Sequence, residues 1–123
     1  MVDTIRTDDY RKAVARTMGE RGPGGLQERV NALLDGLGWL TFHDVDPLLN
    51  RAGFLDVCAT RDGYLLFAEL KSATGRVSDE QREWLERLDL VASRAPNVLV
   101  HVWRPMDLLD GTIERVLRGR RAD

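Results

Sequence analysis

Phe54-Leu55-Asp56-Val57-Cys58-Ala59-Thr60-Arg61-Asp62-Gly63-Tyr64-Leu65-Leu66-Phe67-Ala68-Glu69-Leu70-Lys71-Ser72 reads as a β-hairpin with charged groups at its open end. Two apolar, partly β-branched runs flank Asp-Gly, the strongest short-range signal for a two-residue hairpin turn. With Asp62 and Gly63 as the turn, Arg61 faces Tyr64 and, following the ladder back, Asp56 faces Glu69. Directly opposed residues share one face of the sheet, with Cβ atoms roughly 4.5–5.5 Å apart. Strand alternation puts Lys71 on that face too. Cys58, set opposite Phe67, reads as a small buried apolar side chain.

Two carboxylates in direct opposition repel, and a divalent cation removes the conflict. Asp56 and Glu69, with the Leu70 main-chain carbonyl, form a partial oxygen shell suited to Mg²⁺ or Mn²⁺, which keep several waters and complete their coordination on substrate phosphate. Lys71 stands where an amine can orient or deprotonate an attacking water and stabilise phosphate charge. An ordinary Glu69–Lys71 ion pair is the structural alternative. Of the 18 cationic residues, Lys12 and Lys71 are the two lysines and the rest are arginine. Arginine stays charged and makes a poor base, so a lysine in the Glu69-Leu70-Lys71 triplet adds support to the site reading.

Asp56 followed by Glu69-Leu70-Lys71 resembles the PD-(D/E)XK nuclease superfamily. The longer pattern of Gly53-Phe54-Leu55-Asp56, Glu69-Leu70-Lys71-Ser72, Gly75-Arg76, Ser78, Gln81, Trp84-Leu85 and Val102-Trp103-Arg104-Pro105 is similar to its virus-type replication-repair branch, VRR-NUC. The resemblance runs from about Leu26 to Leu109. It implies an α/β fold with a restriction-endonuclease-like αβββαβ core, a mixed central sheet with helices on both faces. It also implies a cytoplasmic, phage-type enzyme that hydrolyses phosphodiester bonds in structured or branched DNA with Mg²⁺ or Mn²⁺. Gln81 is implied to lie beside the catalytic residues, although a capping box with Ser78 explains it equally well. His43 stands where the family often carries a histidine, which implies contact with DNA phosphate or a metal-bound water; an ordinary surface histidine is the alternative. Two positions depart from the pattern: Leu55 replaces the usual proline, and Pro23-Gly24-Gly25 occupies the place of an acidic residue at the first core helix. A catalytically silent nucleic-acid-binding module or replication-complex subunit is the alternative function.

Around the hairpin, the chain divides into residues 1–22, a helical appendage, and 23–123, the nuclease-like domain. Thr7 is placed to cap a helix from Asp8 to Glu20, and Arg21-Gly22-Pro23-Gly24-Gly25 breaks it. Val30, Leu33, Leu34 and Leu37 follow helical spacing, with Gly38 placed to end that helix. Glu28 projects away from this stripe, which argues against it as a third carboxylate. Trp39 to Val45 reads as a strand and 46–52 as a polar loop. Ser78, with Gln81 three residues on, opens a helix to about Arg94. Asn97 to Trp103 is the last strand, containing His101 as a structural residue, and a terminal helix runs from Met106 to Arg118. Apolar residues on both faces of the hairpin call for helices above and below, with a right-handed crossover joining the parallel strands.

At 123 residues and 43% hydrophobic, with a net charge of −2, the chain suits one small core and lacks a strong general affinity for polyanions. Phosphate contact then falls to local cations: Arg76, Arg82 and Arg104 near the triplet, with Arg118, Arg120 and Arg121 adding diffuse attraction. One cysteine leaves no internal disulfide. The chain shows neither a membrane-length apolar run nor a signal-peptide pattern in its acidic start (Asp3, Asp8, Asp9), so an intracellular setting is expected. DNA is the expected partner. A homodimer, with the N-terminal helix as interface or alternatively as a lid over the sheet, would double the surface offered to a branched substrate.

Overall fold

The computed structural model describes residues 2–42 and 53–119, with residues 2–6 described as backbone only. His43, the segment 44–52 and the arginines at 120 and 121 lie outside the described residues. The fold is α/β, a four-stranded mixed sheet with helices. Helix α1 (Val2–Thr17) and α2 (Leu26–Gly36) precede β1 (Leu40–Thr41), β2 (Val57–Arg61) and β3 (Tyr64–Leu70); α3 (Asp79–Ala92) leads to β4 (Val98–Trp103), and α4 (Pro105–Leu109) and α5 (Thr112–Leu117) close the chain.

The hairpin has the register expected from its turn. Arg61 pairs with Tyr64, Cys58 with Phe67 and Val57 with Ala68. Asp62 (φ 52°) and Gly63 (φ 85°) both take left-handed backbone, as a type I′ turn requires. The sheet order is β1-β2-β3-β4, with β1, β2 and β3 antiparallel and β4 parallel to β3. Asn97 Nδ2 donates to the Gly63 carbonyl at 3.0 Å, which ties the turn to the start of β4.

Alternation sorts the sheet into two faces. Val57, Ala59, Leu66, Ala68, Leu70 and Trp103 point into the main core, against Leu26, Val30 and Leu34 of α2 and Ile113 and Leu117 of α5. Trp39 Nε1 donates to the Leu117 carbonyl at 2.8 Å, anchoring α5 beside the start of β1. The opposite face is covered by α3. Phe54 meets Trp84 of that helix edge-to-face at 4.9 Å and Phe67 of β3 at 6.4 Å. Among the described residues, no helix is long and apolar enough to cross a membrane.

Three boundaries differ from expectation. Helix α1 starts at Val2, so Thr7 lies within the helix and Asp3, not Asp8, stands in its first turn. That helix packs on α4, and Met18, the residue after its end, joins the core. The terminal helix is two short helices because Gly111 adopts φ 86°, and Asp110 Oδ1 accepts the Thr112 N–H at 2.9 Å to start the second. Of the strand expected from Trp39 to Val45, only Leu40–Thr41 of the described residues forms a ladder, Trp39 and Phe42 flank it outside the strand, and 43–45 lie outside the described residues.

Candidate active site

The open end of the hairpin brings Asp56, Glu69 and Lys71 together. Asp56 lies one residue before the β2 ladder, and its Oδ2 accepts the Leu70 N–H at 2.9 Å. A strand residue presents its N–H and C=O toward the same neighbour, so the Leu70 carbonyl opens on the Asp56 side. Asp56 Oδ1 pairs with Arg21 Nη2 at 3.3 Å.

Glu69 is the one charged side chain in the buried set of the described residues, at 1% exposure. Lys71 Nζ stands 3.1 Å from its Oε2, and Gln81 Nε2 donates to the same oxygen at 2.6 Å. Its Oε1 is buried without a protein hydrogen-bond partner. Leaving such an atom unpaired costs about 1–3 kcal/mol, and unsatisfied buried groups call for a reason such as a catalytic role or an ion. Desolvation, with added repulsion from Asp56, pushes the Glu69 pKa up to about 7 against the opposing pull of Lys71. A cation between the two carboxylates would offset both effects.

Gln81 is positioned by its own helix cap. Ser78 Oγ accepts the Gln81 N–H at 3.1 Å, and Gln81 Oε1 accepts the Ser78 N–H at 3.0 Å. The cap occupies the amide oxygen and leaves Nε2 aimed at Glu69. Capping and site contact, weighed against each other in the sequence, are both present in one side chain. The approach of α3 is close: a Cβ on Gly53 (φ 79°) would lie 2.4 Å from Glu80 Cβ and 2.8 Å from Glu80 C. Only glycine lets the segment leading to Asp56 pass this near.

The donor set fits a hard divalent cation in kind, with two carboxylates, one of them carrying the partnerless Oε1, and a main-chain carbonyl all supplying oxygen. No group of three or more His, Cys, Asp or Glu side chains among the described residues could hold a metal, so such an ion would rely on water and substrate for the rest. Glu28 is excluded as a third carboxylate, since it is exposed and its Oε1 accepts the Gly24 N–H at 3.0 Å.

Arg76, Arg82 and Arg104 line one open concavity, formed by the loop that follows Lys71 and the start of α3; Asp56, Glu69, Lys71 and Gln81 do not line it. Arg76 and Arg82 are exposed. Arg104 Nη1 donates to the Ser72 and Gly75 carbonyls, both at 2.7 Å, and so shapes the loop that carries Arg76. His101 stacks on Trp103 at 5.2 Å, and burial lowers its pKa, in keeping with a structural role. Cys58 is half-buried, and desolvation raises its thiol pKa. Arg118 is paired with Glu114.

Sequence reading missed Arg21, Gln27 and Asn31. Gln27, Asn31 and Leu34 share one face of α2 at i, i+4, i+7 spacing; with Arg21 they line a pocket that includes Asp56. The helical spacing was visible in the sequence, but its orientation toward Asp56 was not. Comparison of the chain with models of known families, with curated proteins and with solved structures finds no match.

Proposed function

We propose that the protein is a metal-dependent nuclease with a restriction-endonuclease-like core of the VRR-NUC type, hydrolysing phosphodiester bonds in structured or branched DNA. The observation that carries this reading is the buried Glu69, unpaired at Oε1, pressed against Asp56 and held by Lys71 and Gln81 at its other oxygen. A buried acid with a raised pKa beside a like charge is expected where a ligand completes the site. Asp56, Glu69 and the Leu70 carbonyl would hold Mg²⁺ or Mn²⁺, which supplies charge neutralisation and a more acidic bound water.

The other side chains have separable tasks. Lys71, 3.1 Å from Glu69, sits where it can take a proton from, or orient, the attacking water. Gln81 fixes the Glu69 oxygen that faces α3 and so aims the remaining one. Arg76 and Arg82 offer exposed charge to phosphates flanking the cut.

Incubating the purified protein with linear, flapped, forked and four-way DNA in Mg²⁺ or Mn²⁺ tests the proposal. Cleavage that EDTA stops, and that Glu69→Gln abolishes, is the expected result; no cleavage of any substrate would sink it. The Arg21–Asp56 pair favours a second reading, a silent DNA-binding module in which arginine neutralises the site. Binding without cleavage in the same panel would select that reading.

A further inference from the structure

We infer that Arg21 is a substrate-binding residue of this site: its guanidinium leaves Asp56 for a DNA phosphate when a divalent cation takes the carboxylate. The inference rests on the nuclease reading above and adds a residue that the chain's family resemblance does not supply.

Four observations lead to it. First, the contact is a single 3.3 Å approach to one oxygen by a side chain that is 79% exposed. Asp56 itself is only 14% exposed, but the incoming divalent cation replaces the arginine's charge at the carboxylate and the exposed guanidinium regains water, so the exchange costs little. Second, the backbone that carries Arg21 is pinned. Leu26 N–H bonds to the Gly19 carbonyl at 2.9 Å, Gln27 N–H to Glu20 at 2.8 Å and Gly25 N–H to Gly22 at 3.0 Å. The anchor is therefore fixed and the long side chain moves alone. Third, Asp56 Oδ2 is engaged by the Leu70 N–H, so Oδ1, which holds Arg21, is the oxygen turned to incoming cations. Arg21 and a divalent ion compete for it.

Fourth, a pocket of about 310 Å³ opens beside the pair, with Gln27, Asn31 and Asp56 in its wall. That volume is at the small end of organic-ligand pockets. Its walls carry carboxamides, which both donate and accept, and Gln27 Nε2 meets Asn31 Oδ1 at only 3.3 Å. A sugar–phosphate unit next to the scissile bond matches this chemistry: its anionic oxygens suit a planar guanidinium, and its remaining oxygens suit amides. Displaced from Asp56, Arg21 stays at the rim of this pocket and within reach of that phosphate.

The test compares wild type, Arg21→Ala and Arg21→Lys in three measurements: Mn²⁺ binding by calorimetry, affinity for a short oligonucleotide in Ca²⁺, and cleavage kinetics in Mg²⁺. Arg21→Ala is expected to bind Mn²⁺ roughly 2–5-fold more tightly, since a competing cation is gone. It should bind the oligonucleotide about 10–100-fold more weakly, from loss of a charge-assisted contact. Arg21→Lys should recover part of that loss. Oligonucleotide affinity equal to wild type in Arg21→Ala overturns the inference whatever Mn²⁺ does, and leaves the nuclease reading standing if wild type cleaves. A wild type that neither cleaves nor binds the oligonucleotide overturns both.

Discussion

Gln81 donates from Nε2 to Glu69 at 2.6 Å while its Oε1 accepts the Ser78 N–H at 3.0 Å. One side chain therefore couples the start of α3 to the buried carboxylate of β3. The helix cap fixes the amide rotamer, and the rotamer decides which Glu69 oxygen stays open. Stability and site geometry are linked through this residue, and they separate by substitution.

Ser78→Ala removes the hydroxyl side of the cap and should cost about 1 kcal/mol of stability with cleavage reduced only slightly. Gln81→Ala should cost a similar amount and lower cleavage severely, because Glu69 loses its fixed partner. Denaturant melts paired with single-turnover rates distinguish them. Equal activity loss in both variants would mean that Gln81 acts through the cap alone.

Stability of the metal-free protein should fall as pH rises from about 4.5 to about 7. Glu69 holds its proton in the folded state up to about 7, against 4.5 for an ordinary glutamate. The folded state therefore binds more protons across this window, and raising pH favours unfolding. The full effect is on the order of 3 kcal/mol and is present above pH 7. Glu69→Gln should remove it: the variant gains little over wild type near pH 4.5 and most at pH 8. Urea melts in EDTA at pH 4.5, 6 and 8 check the trend, and parallel pH profiles for the two proteins would contradict it.

Lys71→Arg keeps the charge beside Glu69 but loses the compact, deprotonatable amine. Cleavage should drop by at least an order of magnitude with DNA affinity nearly unchanged. A fully active variant would reduce Lys71 to an electrostatic role.

Arg76→Ala and Arg82→Ala should each weaken DNA binding and lower the slope of log affinity against log salt by about 1. Cleavage at saturating DNA should be nearly unchanged, since both side chains are exposed and line a concavity that Asp56, Glu69 and Lys71 do not. Filter binding from low to moderate salt measures the slope, and an unaltered slope in both variants would place the DNA elsewhere.

Gly53→Ala should destabilise the protein by about 2–4 kcal/mol, from left-handed backbone strain and overpacking on Glu80. The push falls on the first turn of α3, so cleavage should fall along with stability. A melt indistinguishable from wild type would show that the approach of these segments relaxes freely.

The sequence by itself determined the hairpin, its register and the convergence of Asp56, Glu69 and Lys71, because a two-residue Asp-Gly turn and strand alternation are local rules. It also determined the Ser78–Gln81 cap and the α2 stripe of Val30 and Leu34, for the same reason. Burial was decided only by the tertiary structure. Glu69 reaches 1% exposure and a pKa near 7 because α3 closes over its face of the sheet, which no spacing within β3 encodes. The Arg21–Asp56 pair spans 35 residues, and Arg104 reaches back 32 and 29 residues to Ser72 and Gly75. Such contacts depend on how elements pack, and packing follows from the whole core rather than from any one segment.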